Sequence, residues 1–211
     1  MSSPVERSYD IRQNHPWHPE DRKAKVAVES AIGGGMISGT DPQTLGRVKV
    51  PQATYKGPDT SFISSNKPAV YQSTEGARGL GIPLTECRTL ASSGRSDMQA
   101  QAFQELSQKT IKIKLRINWP GGYEEYGSGQ YTVKNTKGII SKAKLAEIVA
   151  LEVEKIIKDR SLIVKGYAVV DPLWKLGDDG IRFEELFLTE IRHVSKASLQ
   201  PHFEVVRVHR A

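Results

Sequence analysis

Trp119, Tyr123, Tyr126 and Tyr131 fall within thirteen positions, just after Lys112, Lys114 and Arg116. Cations beside exposed aromatic rings suit two kinds of contact. Lysine and arginine neutralise phosphates while rings stack on bases, and tyrosine and tryptophan also anchor protein interfaces. Glu124 and Glu125, in the middle of the cluster, count against phosphate binding. The same rings could equally pin the glycine-rich turn Trp119-Pro120-Gly121-Gly122 from within, leaving the cations to solubilise an outer sheet face.

Other chemistry has less behind it. Glu124, Glu125, Asp171, Asp178, Asp179, Glu184 and Glu185 are hard-cation ligands that, gathered at strand ends, would suit a metal-dependent hydrolase. They sit in turn-forming segments, where carboxylates are expected anyway. His15 and His18 are separated by Pro16, which prevents the helical turn that would align them on a metal, so His15-Pro16-Trp17-His18-Pro19 reads as an exposed peptide with Trp17 as its anchor. His193, His202 and His209 belong to no motif that ties them to a nucleophile. Cys87 is the only cysteine, which excludes an intrachain disulfide, and Arg88 alone is thin support for a reactive thiol. The glycine runs at Gly33–Thr40 and Gly76–Gly81 lack the Gly-Lys-Ser/Thr ending and the spacing of phosphate-binding loops. No metal or cofactor is expected.

Composition points the same way. Hydrophobic residues make up 38% of the 211, few for a chain that is compact throughout. The formal charge is +6: 13 basic and 11 acidic side chains precede Ile111, and 17 and 13 follow from it. That excess mildly favours anionic partners without the clustering of a strong nucleic-acid binder. Met1–Arg7 has no apolar run, so no signal peptide is expected, and no stretch is long and apolar enough to span a membrane. A cytoplasmic or nuclear location fits.

The elements that must position these groups follow from periodicity. Pro19, Glu20 and Asp21 open a short helix whose alanine-rich face ends at Gly33-Gly34-Gly35. Ten of the 18 glycines lie between Gly33 and Gly94, so this stretch reads as loop with brief strands at Arg47–Val50 and Ala69–Tyr71. Ser96-Asp97-Met98-Gln99 fits a capping box, with Met98, Ala102, Phe103 and Leu106 as the helical stripe behind it.

Ile111, Ile113, Leu115 and Ile117 alternate with Lys112, Lys114, Arg116 and Asn118, which predicts a strand with an apolar and a cationic face. A second strand is expected at Gln130–Lys134. Ser141 can cap a broad-faced helix that runs to about Lys158. Further strands are expected at Leu162–Val170 and Phe203–Val208, and Ile181–Val194 fits either a helix or a strand, with strand favoured by its Phe, Leu, Thr and Ile.

The segments Arg116-Ile117-Asn118-Trp119-Pro120-Gly121, Ile140–Ala146 and Ile191–Pro201 are similar to those of proteins of unknown function from mushroom-type fungi. The likeness covers roughly residues 111–208 and implies a discrete domain and a fungal source, with no activity, ligand or catalytic residue to carry over.

The expectation is therefore a loop-rich, partly disordered N-terminal region over residues 1–95 and an α+β domain over 96–211, with a mostly antiparallel sheet and one amphipathic helix packed on it. The function it favours is non-enzymatic protein interaction or self-association through Trp119, Tyr123, Tyr126, Tyr131 and Trp17. Weak nucleic-acid binding by Lys112, Lys114 and Arg116 comes second, and a metal-dependent hydrolase third.

Overall fold

The computed structural model describes residues 46–59, 61–64, 66–72, 81–103, 106, 112–136, 138–164 and 170–206, all within one compact unit, Gln43–Ala211. In chain order its elements are β1 (Arg47–Lys49), β2 (Ala69–Val70), β3 (Ile82–Pro83), α1 (Leu84–Cys87), α2 (Ser96–Gln99), β4 (Lys112–Ile117), β5 (Tyr126–Gly127), β6 (Tyr131–Thr132), β7 (Lys134–Asn135), β8 (Gly138–Ile139), α3 (Lys142–Lys158), β9 (Leu186–Ser195) and β10 (Ser198–Val206). The fold is mixed α/β. β9 and β10 form a long antiparallel hairpin that turns at Lys196 and Ala197. Onto it are laid β1 beside β10, β2 and β3 beside β9, and β4 parallel to β10, while β4 in turn carries β5 and β6. The result is an eight-stranded, mostly antiparallel sheet, with β7 and β8 as a separate hairpin.

The alternation of β4 becomes two faces, as a two-residue period requires. Ile113, Leu115 and Ile117 are buried, Lys112 is exposed, and Lys114 and Arg116 are half-buried on the other side. β5 and β6 meet β4 at either end of a gap that Ser128 fills. Its hydroxyl accepts from the Leu115 N–H at 2.8 Å and its own N–H donates to the Leu115 carbonyl at 3.0 Å, so no buried backbone group of Leu115 is orphaned.

α3 starts where the Ser141 hydroxyl accepts from the Lys144 N–H at 3.2 Å. It buries Leu145, Ile148, Val149, Val153 and Ile156, each worth about 1.5–3 kcal/mol of hydrophobic transfer. Lys155 and Lys158 in the last turn suit the negative end of the helix dipole. Glu154 pairs with Lys158 at 2.7 Å and also with Arg88, just after α1. Tyr131 is registered opposite Ile113, and Tyr126 opposite Ile117. Directly paired residues share a face, so both tyrosines point to the apolar side of β4. There both hydroxyls reach Glu152 of α3.

Several expectations change. The boundary near Ser96 does not divide the sheet, because β1, β2 and β3 pair with β9 and β10. α2 ends after four residues and has no side-chain cap. Residues 100–102 instead bond to 140–142, through Lys142 N–H to the Ala100 carbonyl and Ala102 N–H to the Ile140 carbonyl, both at 2.9 Å. Met98, Ala102, Phe103 and Leu106 are buried all the same.

The strand at Gln130–Lys134 shrinks to Tyr131–Thr132, with Lys134 passing to the β7–β8 hairpin. A 3-10 turn, Arg160–Leu162, occupies the start of the strand expected at Leu162–Val170, of which residues 165–169 lie outside the described residues. The final strand starts earlier than expected, at Ser198. Ile181–Val194 resolves into a turn at Phe183–Glu185 followed by β9. Trp17, His15, His18, His209, the helix after Pro19 and the glycine run at Gly33–Thr40 lie outside the described residues. No helix among the described residues is long and apolar enough to cross a membrane.

Candidate anion-binding groove

Residues 50–59 continue from β1 along β10 to the end of the β9–β10 hairpin and flank the cationic side chains of β4. Polar bonds fix this strap: Gln52 Nε2 donates to the Pro201 carbonyl at 2.9 Å, and the Tyr55 N–H donates to Gln200 Oε1 at 2.9 Å. Gln200 Nε2 and Asn118 Nδ2 both donate to the Ala53 carbonyl, at 2.8 and 3.0 Å. Gly57 lies flush on the hairpin end, where an added Cβ would stand 2.9 Å from Ser195 Cβ. A side chain there would lift the strap.

Between strap, hairpin turn and β4 lies a groove of about 350 Å³, lined by Tyr55, Pro58, Asp59, Lys112, Lys114, Arg116, Gln130, Lys196 and the small residues of the β9–β10 turn. Four cations face it, and two are already balanced. Arg116 pairs with Glu125 at 3.0 Å and lays its guanidinium over the Tyr55 ring, 4.6 Å from the centroid. Lys196 pairs with Asp59 at 2.9 Å. The Asp59 carboxyl is held below its ordinary value by the Ser61 hydroxyl and by Lys196. Neither Lys112 nor Lys114 has an ion-pair partner among the described residues. Among the described residues the groove therefore carries two cations without a counter-charge, which favours an anion.

The aromatic residues lie elsewhere. Trp119 is buried, and its indole N–H donates to the Trp174 carbonyl at 2.7 Å. Half-buried Tyr123 accepts at its hydroxyl from the Leu176 N–H at 2.9 Å. Tyr126 and Tyr131 are tied to Glu152, so all four polar tips are spent inside the fold. Tyr55 is the ring the groove does present, and nothing in its local sequence distinguished it.

The carboxylates do turn chemistry. Asp171 accepts from the Leu173 N–H, and Glu185 from the Arg182 N–H. Asp179 pairs with Lys175 and Arg160. Among the described residues, no group of three His, Cys, Asp or Glu is placed to hold a metal.

One further pair was invisible in the sequence. Ser64 and His193 lie 129 positions apart, yet Ser64 Oγ sits 3.2 Å from His193 Nδ1. They line a hollow of about 490 Å³ on the other side of Tyr55 and Asp59. Burial lowers the His193 pKa against the pull of the Lys196 and Ser195 carbonyls. Asn66 Nδ2 stands 3.3 Å from the same nitrogen, and Nε2 is buried with no hydrogen-bond partner among the described residues.

Cys87 is fully buried, and burial, with Glu86 beside it, pushes its thiol up to about 12. Such a thiol carries roughly a thousandfold less thiolate than a free cysteine. The folded protein should therefore be almost inert to a disulfide reagent at neutral pH and react fully in denaturant. Rapid labelling of the native chain would refute this.

No family model matches the chain. Searches of the curated proteins and of the solved structures return no significant match either.

Proposed function

We propose that the chain is a non-enzymatic, intracellular protein-interaction module, cytoplasmic or nuclear, that receives its partner on the cationic face of β4. The observation that carries this reading is the pair of amines, Lys112 and Lys114, without an ion-pair partner among the described residues, in an open groove. In this reading α3 is the amphipathic helix that backs the sheet, and the chain before the folded unit is a loop-rich arm able to add Trp17 as an outlying anchor. The hairpin aromatics Trp119, Tyr123, Tyr126 and Tyr131, first candidates for the contact surface, take in this reading the role of holding the turn and α3 against the sheet.

A second reading, weak nucleic-acid binding through Lys112, Lys114 and Arg116, is favoured by the Tyr55 ring beside those cations. It has one ring to offer where single-stranded nucleic acid uses several as stacking platforms.

Reversing both free charges, K112E with K114E, separates these readings from a neutral partner. Exposed ion pairs are worth up to about 1 kcal/mol each, and reversal adds repulsion. Affinity for an acidic peptide should fall roughly tenfold or more, with circular dichroism unchanged. An unaltered affinity would remove the groove from the interaction. Oligothymidylate held more tightly than the peptide by the wild type would move the assignment to nucleic acid.

A further inference from the structure

We infer that the partner segment binds this groove as an extended chain with acidic side chains on alternate residues, the first opposite Lys112 and the next opposite Lys114. This inference rests on the protein-interaction reading and adds the conformation and spacing of the partner.

Lys112 and Lys114 are two positions apart on a strand, so their amines are rooted about 6.6 Å apart on one face. An extended ligand repeats side chains on one face at that same interval. Carboxylates at i and i+2 therefore meet both amines at once, whereas those at i and i+1 point to opposite sides and only one is used.

The groove is small, about 350 Å³, so it takes the side chains of a short segment. Strand addition finds little open edge, because β4 is paired with β5 and β6 on one side and, at Lys114 and Leu115, with β10 on the other. Recognition therefore falls mainly to side chains. The limits of the acidic tract are set by Asp59, which already holds Lys196, and by Glu125, which already holds Arg116. A longer acidic run would set its own carboxylates against these two.

The test uses three labelled peptides of equal length on the full chain, read by fluorescence anisotropy. One carries two glutamates at i and i+2, one carries them at i and i+1, and one has glutamine in their place. The alternating peptide should bind roughly fivefold more tightly than the adjacent one, and the glutamine peptide weakest. In K112Q/K114Q that preference should vanish while circular dichroism stays the same. Equal affinity of the two acidic peptides, lost in K112Q/K114Q, would overturn the spacing and leave the interaction reading standing. If neither acidic peptide binds the wild type more tightly than the glutamine peptide, both fall.

Discussion

Replacing Glu152 by alanine should cost the fold about 3 kcal/mol, and urea denaturation would read the loss as a fall in midpoint with little change in slope. The carboxylate is only 1% exposed, yet it sits on the face of α3 that looks at the sheet. It is affordable there because Tyr126, Tyr131 and Lys155 all donate to it. Truncation leaves two half-buried phenols without their acceptor and opens a void, and both effects act in the same direction. E147A, which loses only an exposed pair with Lys144, should stay within about 0.5 kcal/mol of wild type.

The pH dependence has a definite sign. Burial alone would raise the Glu152 pKa, but bonds from Lys155, Tyr126 and Tyr131 outweigh it and hold the group below its ordinary 4.5. Its contribution is therefore present above that value and lost as pH falls through the lowered folded pKa. E152Q should be less stable at neutral pH and show a flatter acid limb. An E152A loss under about 1 kcal/mol would mean that this network does not hold the hairpin.

How much of this was legible in the sequence depends on the range over which each signal acts. β4 and α3 were readable because their patterns are local: isoleucines two apart, and a serine just before a broad apolar stripe. β9 was readable as a strand once its Phe, Leu, Thr and Ile were weighed against the helical alternative. The direction of the aromatics was not. Whether Tyr126 and Tyr131 face in or out depends on a register that pairs them with Ile117 and Ile113 and on an acceptor 21 to 26 residues away. One signal was available: Glu152 stands between Leu151 and Val153, on the stripe of Leu145, Ile148 and Val149, where a carboxylate needs a buried donor. The strap was opaque for a similar reason. Residues 50–59 have the composition of a loop, and what holds them flat is Gln200, 145 to 147 positions downstream. α2 failed for the opposite reason, since a sound local capping pattern lost to backbone pairing with residues 140–142.

Trp119 tests whether the aromatic cluster builds the protein or contacts its partner. The indole is 4% exposed, lies 6.2 Å from the Phe203 ring, and donates to the Trp174 carbonyl at 2.7 Å. The turn after it is closed on the same neighbour. Gly121 has a φ of +90°, and a Cβ there would stand 2.8 Å from Trp174 Cβ, while its carbonyl accepts from the Asp171 N–H. W119A should therefore cost about 3–5 kcal/mol, from the cavity and the lost hydrogen bond together. W119F keeps most of the apolar volume and loses the hydrogen bond, at about 1–2 kcal/mol. Because the ring sits among core residues and does not line the groove, W119F should bind the alternating acidic peptide as tightly as wild type does. A W119F protein with wild-type stability but weakened peptide binding would reverse the assignment and make Trp119 a contact residue. Lowered stability with binding intact would place its role in the core, and leave Lys112 and Lys114 as the residues that meet the partner.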